Sequence, residues 1–137
     1  MLVQGTGGVA LFGLQFARLH GAQVIVVSGG EDKRAQALAL GAIYALARDA
    51  GWPAEVRRLT QGRGAEQVLE TVGGPNFGRS LEALAQGGRV AVIGVLEGAR
   101  SAARLARRSA AAARFRASAW ATGVRCRRWC APSMRTP

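Results

Sequence analysis

Cysteine is missing from the first 125 of the 137 residues, and Cys126 and Cys130 are the two the chain has. Most of the chain therefore cannot be stapled by disulfides, and the cytoplasm is the expected compartment. Long apolar runs are missing too: none approaches the ~18 residues a membrane helix needs, so no membrane partner is expected. Met1 is not followed by the basic segment that opens a secretory signal. Carboxylates are missing from one end of the chain. From Ala99 to Pro137 there are ten arginines and no acidic residue, whereas nine basic residues nearly balance all eight acidic ones up to Gly98. The net charge of +11 thus belongs to the last stretch and not to the chain as a whole.

Other absences exclude chemistry. His20 is the one histidine, placed at a helix end where it caps or solvates carbonyls, with no partner for catalysis. Cys126 and Cys130 lack the further ligands of a structural zinc site, and no cluster of His, Cys or carboxylates occurs before Gly98, so neither a metal site nor a catalytic set is expected. Glu70 reads as a polar strand end. Gly8 is followed by Val9 and not by Lys-Ser/Thr, which excludes a P-loop. Tyr44 has Arg48 four residues on, departing from the Tyr-x-x-x-Lys pair of short-chain dehydrogenases.

What is present begins with a glycine turn. A short apolar run, Met1 to Gln4, leads into Gly5-Thr6-Gly7-Gly8-Val9-Ala10, which has the form Gly-x-Gly-x-x-Ala. In a strand–turn–helix context this spacing serves a dinucleotide. The first glycine allows the tight turn, the second lets the backbone approach a pyrophosphate, and the small third residue lets the helix pack on the sheet. Free N–H groups at the helix start then face the phosphates.

The rest of the chain keeps a strand–helix rhythm. Val9, Phe12, Gly13, Phe16, Ala17 and His20 share one helical face, Leu11 and Leu14 extend the apolar surface so that the helix is expected to be well buried, and Gly21 stops it. Gln23 to Val27 is a β-branched run of the kind covered on both faces of a parallel sheet. A second helix starts at Glu31 and Asp32, with Ala35, Leu38 and Ala39 inward, and ends at Gly41. A third strand is read at Ile43 to Leu46 and a helix from Pro53, followed by a strand at Gln67 to Val72, a helix at Pro75 to Ala85 and a strand at Arg89 to Ile93. Alternation of this kind predicts an α/β fold, a doubly wound parallel sheet of about five strands.

Four blocks then resemble the medium-chain dehydrogenase/reductase family, which includes zinc-type alcohol dehydrogenases and quinone oxidoreductases. They are Val3 to Ala10, Ala39 to Ala42, Leu69 to Gly74 and Gly87 to Gly94, in order and at suitable spacing. The resemblance covers Leu2 to about Gly98. It implies a Rossmann-type dinucleotide-binding domain of an oxidoreductase that moves hydride between nicotinamide and an alcohol, carbonyl or quinone/enone. By position it implies that Thr6, Gly7, Gly8 and Val9 hold the pyrophosphate, with Gly5 as the turn that leads into them. Gly73 would border the adenosine half, and Gly94 and Val95 the nicotinamide.

An NAD site places a carboxylate at the end of the second strand, to accept from the ribose 2′-OH. Ser28 stands there, and Lys33 and Arg34 follow to neutralise a 2′-phosphate, so NADP is the expected cofactor with NAD as the alternative. Lys33 also matches a lysine that the quinone oxidoreductases use for this phosphate. A methyltransferase with the same topology would more often show an acid at Ser28. The resemblance further implies a catalytic domain that supplies the chemistry and the small-molecule substrate site, which residues 1–98 do not carry. A homo-oligomer stays open.

Past Gly98 the rhythm stops. Residues 99–137, rich in Arg and Ala, read as a non-globular basic tail without a strand, and the family's sixth strand is not found. Two origins are weighed: a basic arm that binds nucleic acid, making the chain a non-catalytic nucleotide-binding module, or translation of GC-rich DNA out of frame. The second is preferred, so nucleic acid is not an expected partner.

Overall fold

The computed structural model of the chain describes residues 1–94 and the backbone of 114–117. Its elements are β1 (Leu2–Gln4), α1 (Gly8–Leu19), β2 (Ile25–Ser28), α2 (Glu31–Ala39), β3 (Tyr44–Ala47), α3 (Trp52–Leu59), β4 (Ala65–Glu70), α4 (Gly74–Glu82), β5 (Leu84–Val92) and β6 (Arg114–Ala117). Strands and helices alternate as the sequence predicts. All strand pairs are parallel, in the order β3-β2-β1-β4-β5-β6. The chain starts in the middle of the sheet, winds out to β3, then returns to β4 and winds the other way. That is the doubly wound Rossmann order.

The period of two along each strand sends alternate side chains to opposite faces. Leu2, Ile25 and Val27 join Val68 and Val90 on one face, under Trp52 and Val56 of α3 and Phe77 of α4. Val3, Val24, Val26 and Leu69 face the other way, under Ala10, Leu14 and Ala17 of α1 and Ala37 of α2. A sheet covered twice needs apolar residues at both parities, which accounts for the unbroken β-branched run ahead of Ser28. Each fully buried valine or leucine contributes about 1.5–3 kcal/mol relative to exposure.

Two helix faces differ from the sequence expectation. In α1 the buried residues are Ala10, Leu14 and Ala17, whereas Val9, Phe12, Phe16 and Leu19 are 50–80% exposed. The Phe12 and Phe16 rings stack on each other, with centroids 6.4 Å apart, on that outer face. In α2 only Ala37 is buried, and Ala35, Leu38 and Ala39 point outward. The physical reason in α1 is closeness to the sheet. A Cβ added at Gly13 would run into the Leu69 side chain, so the small-residue stripe faces inward and the bulky one cannot.

The tail also differs at one place. Arg114–Ala117 forms β6, paired from Arg89↔Arg114 to Val92↔Ala117, where no strand was expected. The edge of β5 would otherwise present a row of unpaired N–H and C=O groups, and a parallel partner satisfies them. The other residues past Gly94, including Val95, Cys126 and Cys130, lie outside the described ones.

Candidate functional site

The strand order reverses between β1 and β4, and ligands in open α/β sheets bind at the carboxyl ends of strands beside such a switch. A cleft of about 590 Å³ opens there. Its floor is the turn Gly5 to Ala10, its walls the ends of β2 (Ser28 to Gly30), β4 (Thr71, Val72) and β5 (Ile93, Gly94), with Lys33 and Arg48 completing the lining.

The turn has the geometry that the glycine spacing requires. Gly5 sits at φ 80°, in the left-handed region where a side chain is strained, and its N–H donates to the Val27 carbonyl at 2.7 Å. Gly7 is the N-cap of α1, and a Cβ built on Gly7 or Gly8 would meet nothing within 4 Å. Space therefore remains beside the first turn of α1, whose leading N–H groups have no partner inside the helix and carry its positive end. Ala10 is 2% exposed, holding that end of the helix close to the sheet. A pyrophosphate fits this arrangement: open backbone, helix-start N–H donors and no carboxylate among the described lining residues.

Ser28 is buried at the end of β2, and its hydroxyl lies 3.4 Å from that of Thr6. Lys33 reaches the cleft from the first turns of α2. Its neighbour Arg34 has another task. It donates to the Ser28 and Gly29 carbonyls, at 3.3 and 3.1 Å, and so ties down the β2–α2 turn. Gly5, Thr6, Gly7, Gly8, Val9, Ser28, Lys33 and Gly94 are thus brought together around one cleft, while Arg34 braces its rim from behind. Gly73 is the N-cap of α4 and donates to Glu70 at 3.0 Å; it is not among the lining residues.

Arg48 and Thr71 are lining residues that sequence reasoning missed. Arg48 follows β3 directly, and its Nη2 lies 3.8 Å from where a Cβ on Gly5 would be. The signal was available only through strand order: β3 pairs with β2, so the residue after β3 shares the end of the sheet with Ser28. Thr71 follows β4, and its hydroxyl donates to the Gln4 carbonyl at 2.6 Å.

Comparison with known proteins now bears on this site. Residues 8–125 match the family model described as zinc-binding dehydrogenase. The chain belongs to that family. The family agrees with the medium-chain dehydrogenase/reductase blocks in the sequence, although the match continues past Gly98, where the resemblance was expected to end, and relatives in the family are oxidoreductases. A zinc-type alcohol dehydrogenase-like protein of Schizosaccharomyces pombe is 36% identical over 96 residues, covering 69% of this chain and 28% of that protein. The quinone oxidoreductase of Rattus norvegicus is 31% identical over 96 residues, covering 69% and 29%. Among solved structures, an NAD-dependent alcohol dehydrogenase aligns at 36% identity with a TM-score of 0.70, over 85% of this chain and 35% of the other. The chain spans less than a third of the length of the two curated relatives. Despite the zinc in the family's description, no group of three His, Cys, Asp or Glu comes together among the described residues of this dehydrogenase-family chain. Nor is any helix among them long and apolar enough to cross a membrane.

Proposed function

We propose that the cleft binds a nicotinamide dinucleotide, NADP in preference to NAD, and serves hydride transfer between the nicotinamide and an alcohol, carbonyl or quinone/enone. When bound, the nicotinamide supplies the hydride. The described residues bind and orient, and none of them is given a catalytic role. Thr6, Gly7, Gly8 and Val9 receive the pyrophosphate at the start of α1 (Gly8–Leu19). Ser28, Lys33 and Arg48 take the ribose end, and Ile93 and Gly94 border the nicotinamide half. We read residues 1–98 as the binding unit of a cytoplasmic protein.

The observation that carries the NADP preference is the charge of the lining. Among the described residues the lining holds Lys33 and no carboxylate, and a buried hydroxyl, Ser28, ends β2. A carboxylate in that place would repel a 2′-phosphate; a hydroxyl with a cation beside it accepts one. Titration of the full chain with NADPH and with NADH, followed by nicotinamide fluorescence, tests this reading. Tighter NADPH binding is expected. Equal affinities overturn the NADP preference, and binding of neither overturns the dinucleotide reading itself.

A further inference from the structure

Beneath the cleft lies a polar cluster that the cofactor contacts do not use. Glu70, at the end of β4, is fully buried. Its Oε1 accepts from the Val72 and Gly73 N–H groups at 2.8 and 3.0 Å. Asn76 Nδ2 donates to both carboxylate oxygens at 3.4 and 3.3 Å, and the Ser80 hydroxyl donates to Oε2. Ser80 in turn accepts from Gln4 Nε2 at 3.2 Å. Gln4, itself fully buried, is the residue before Gly5. It is therefore held twice: through its side chain by Ser80, which Glu70 holds in turn, and through its carbonyl by the Thr71 hydroxyl at 2.6 Å. The same residues reach the third wall. The Glu70 carbonyl accepts from the Ile93 and Gly94 N–H groups at 2.9 and 3.3 Å, and a Cβ on Gly94 would run into the Thr71 carbonyl oxygen.

A buried carboxylate costs several kcal/mol in desolvation unless its lone pairs are met. Here two backbone donors at the start of α4, an amide and a hydroxyl meet them, which makes the cluster rigid. We propose that Glu70 and Thr71 are positioning residues: they clamp Gln4, and through it fix the Gly5 turn relative to the ends of β4 and β5 at the spacing a dinucleotide needs. This rests on the dinucleotide reading of the cleft, and its test separates the two.

Thr71→Val keeps the β-branched shape and deletes the hydroxyl; Thr71→Ser keeps the hydroxyl. In the full chain, Thr71→Val is expected to speed amide hydrogen exchange at Gly5 and Gly94, with exchange at Val26 in the middle of the sheet unchanged. It should also weaken NADPH binding about tenfold, the worth of one well-placed hydrogen bond. Thr71→Ser should restore both to within about twofold of the parent. Unchanged exchange at Gly5 in Thr71→Val, or faster exchange with undiminished NADPH affinity, overturns the proposal. A parent chain that binds no dinucleotide, with exchange at Gly5 still released by Thr71→Val and recovered by Thr71→Ser, supports the clamp and overturns the dinucleotide reading. Glu70→Gln is the second variant. Its amide oxygen can keep the Val72 and Gly73 bonds, but its nitrogen cannot accept from the Ser80 hydroxyl or Asn76 Nδ2, so the Ser80–Gln4 link loosens and exchange at Gly5 should again speed; unchanged exchange at Gly5 overturns the role of Glu70.

Discussion

Replacing Lys33 with alanine should abolish discrimination between NADPH and NADH. The lysine lies on the exposed first turn of α2 and lines the cleft. At a salt-bridge distance of about 4 Å, a unit charge pair is worth ~1 kcal/mol in a water-like medium and more where protein displaces solvent. A 2′-phosphate with a charge near −2 therefore gains about 1–2 kcal/mol from Lys33 after screening, which is roughly a tenfold difference in Kd. Fluorescence titrations at ~0.1 M salt should show NADPH bound about tenfold more tightly by the parent, and to within about twofold of NADH by Lys33→Ala. The NADH affinity should hardly change, because NADH has no 2′-phosphate. Raising salt to ~1 M shortens the Debye length from about 10 to about 3 Å and should shrink the parent's preference in the same direction. Glu31 and Asp32, exposed in the same helical turn, oppose the effect, so Glu31→Gln should sharpen the preference. A Lys33→Ala variant that loses NADPH and NADH affinity equally would refute the reasoning, since the lysine would then act on a phosphate common to both.

Three further outcomes follow from packing and charge. Gly94→Ala places a methyl against the Thr71 backbone, which cannot swing aside as a side chain does; a loss of about 1–3 kcal/mol in urea denaturation is expected, and an unchanged midpoint would show that the β4 and β5 ends are looser than described. Phe77→Ala empties the centre of the cluster beneath α3 and α4, costing about 3–5 kcal/mol, enough to leave the chain largely unfolded by circular dichroism; a cooperative, near-parental transition would contradict the assigned core. The hydrogen bond from Arg58 holds the Glu55 carboxyl below its usual 4.5. Because the folded value is the lower one, this pair's contribution is present above about pH 4.5 and is lost as pH falls through the folded value. Glu55→Gln should therefore be slightly less stable than the parent at neutral pH, with the gap closing in acid. A gap independent of pH would remove the ion pair as its cause.

The parts of this fold that were legible in the sequence are those where the backbone itself restricts the choice of residue. Gly5 needs positive φ, the strands need β-branched residues on both faces, and the helix at Gly8 needs small residues before it. The cleft residues carried by the glycine turn were therefore found with the turn. Arg48 was not, because nothing local marks it; only the pairing of β3 with β2 brings it beside Ser28. Likewise β6 (Arg114–Ala117) has no strand signal among alanines and arginines and owes its place to the open edge of β5.

The misreading of α1 shows how periodicity alone fails. This helix carries two stripes at helical spacing, one of Val9, Phe12, Phe16 and Leu19, the other of Ala10, Gly13, Leu14 and Ala17. The face read from the sequence, Val9, Phe12, Gly13, Phe16, Ala17 and His20 with Leu11 and Leu14 extending it, straddles both. Geometry selects the second, because the dinucleotide turn brings the start of the helix against the sheet, and Gly13 touches the space of Leu69. Once Gly5 to Ala10 is accepted as the cofactor turn, a requirement for small residues extends along the helix from Ala10 through Gly13 to Ala17. The functional reading of the turn thus fixes the packing face of α1, which hydrophobic periodicity alone does not separate from the outer one.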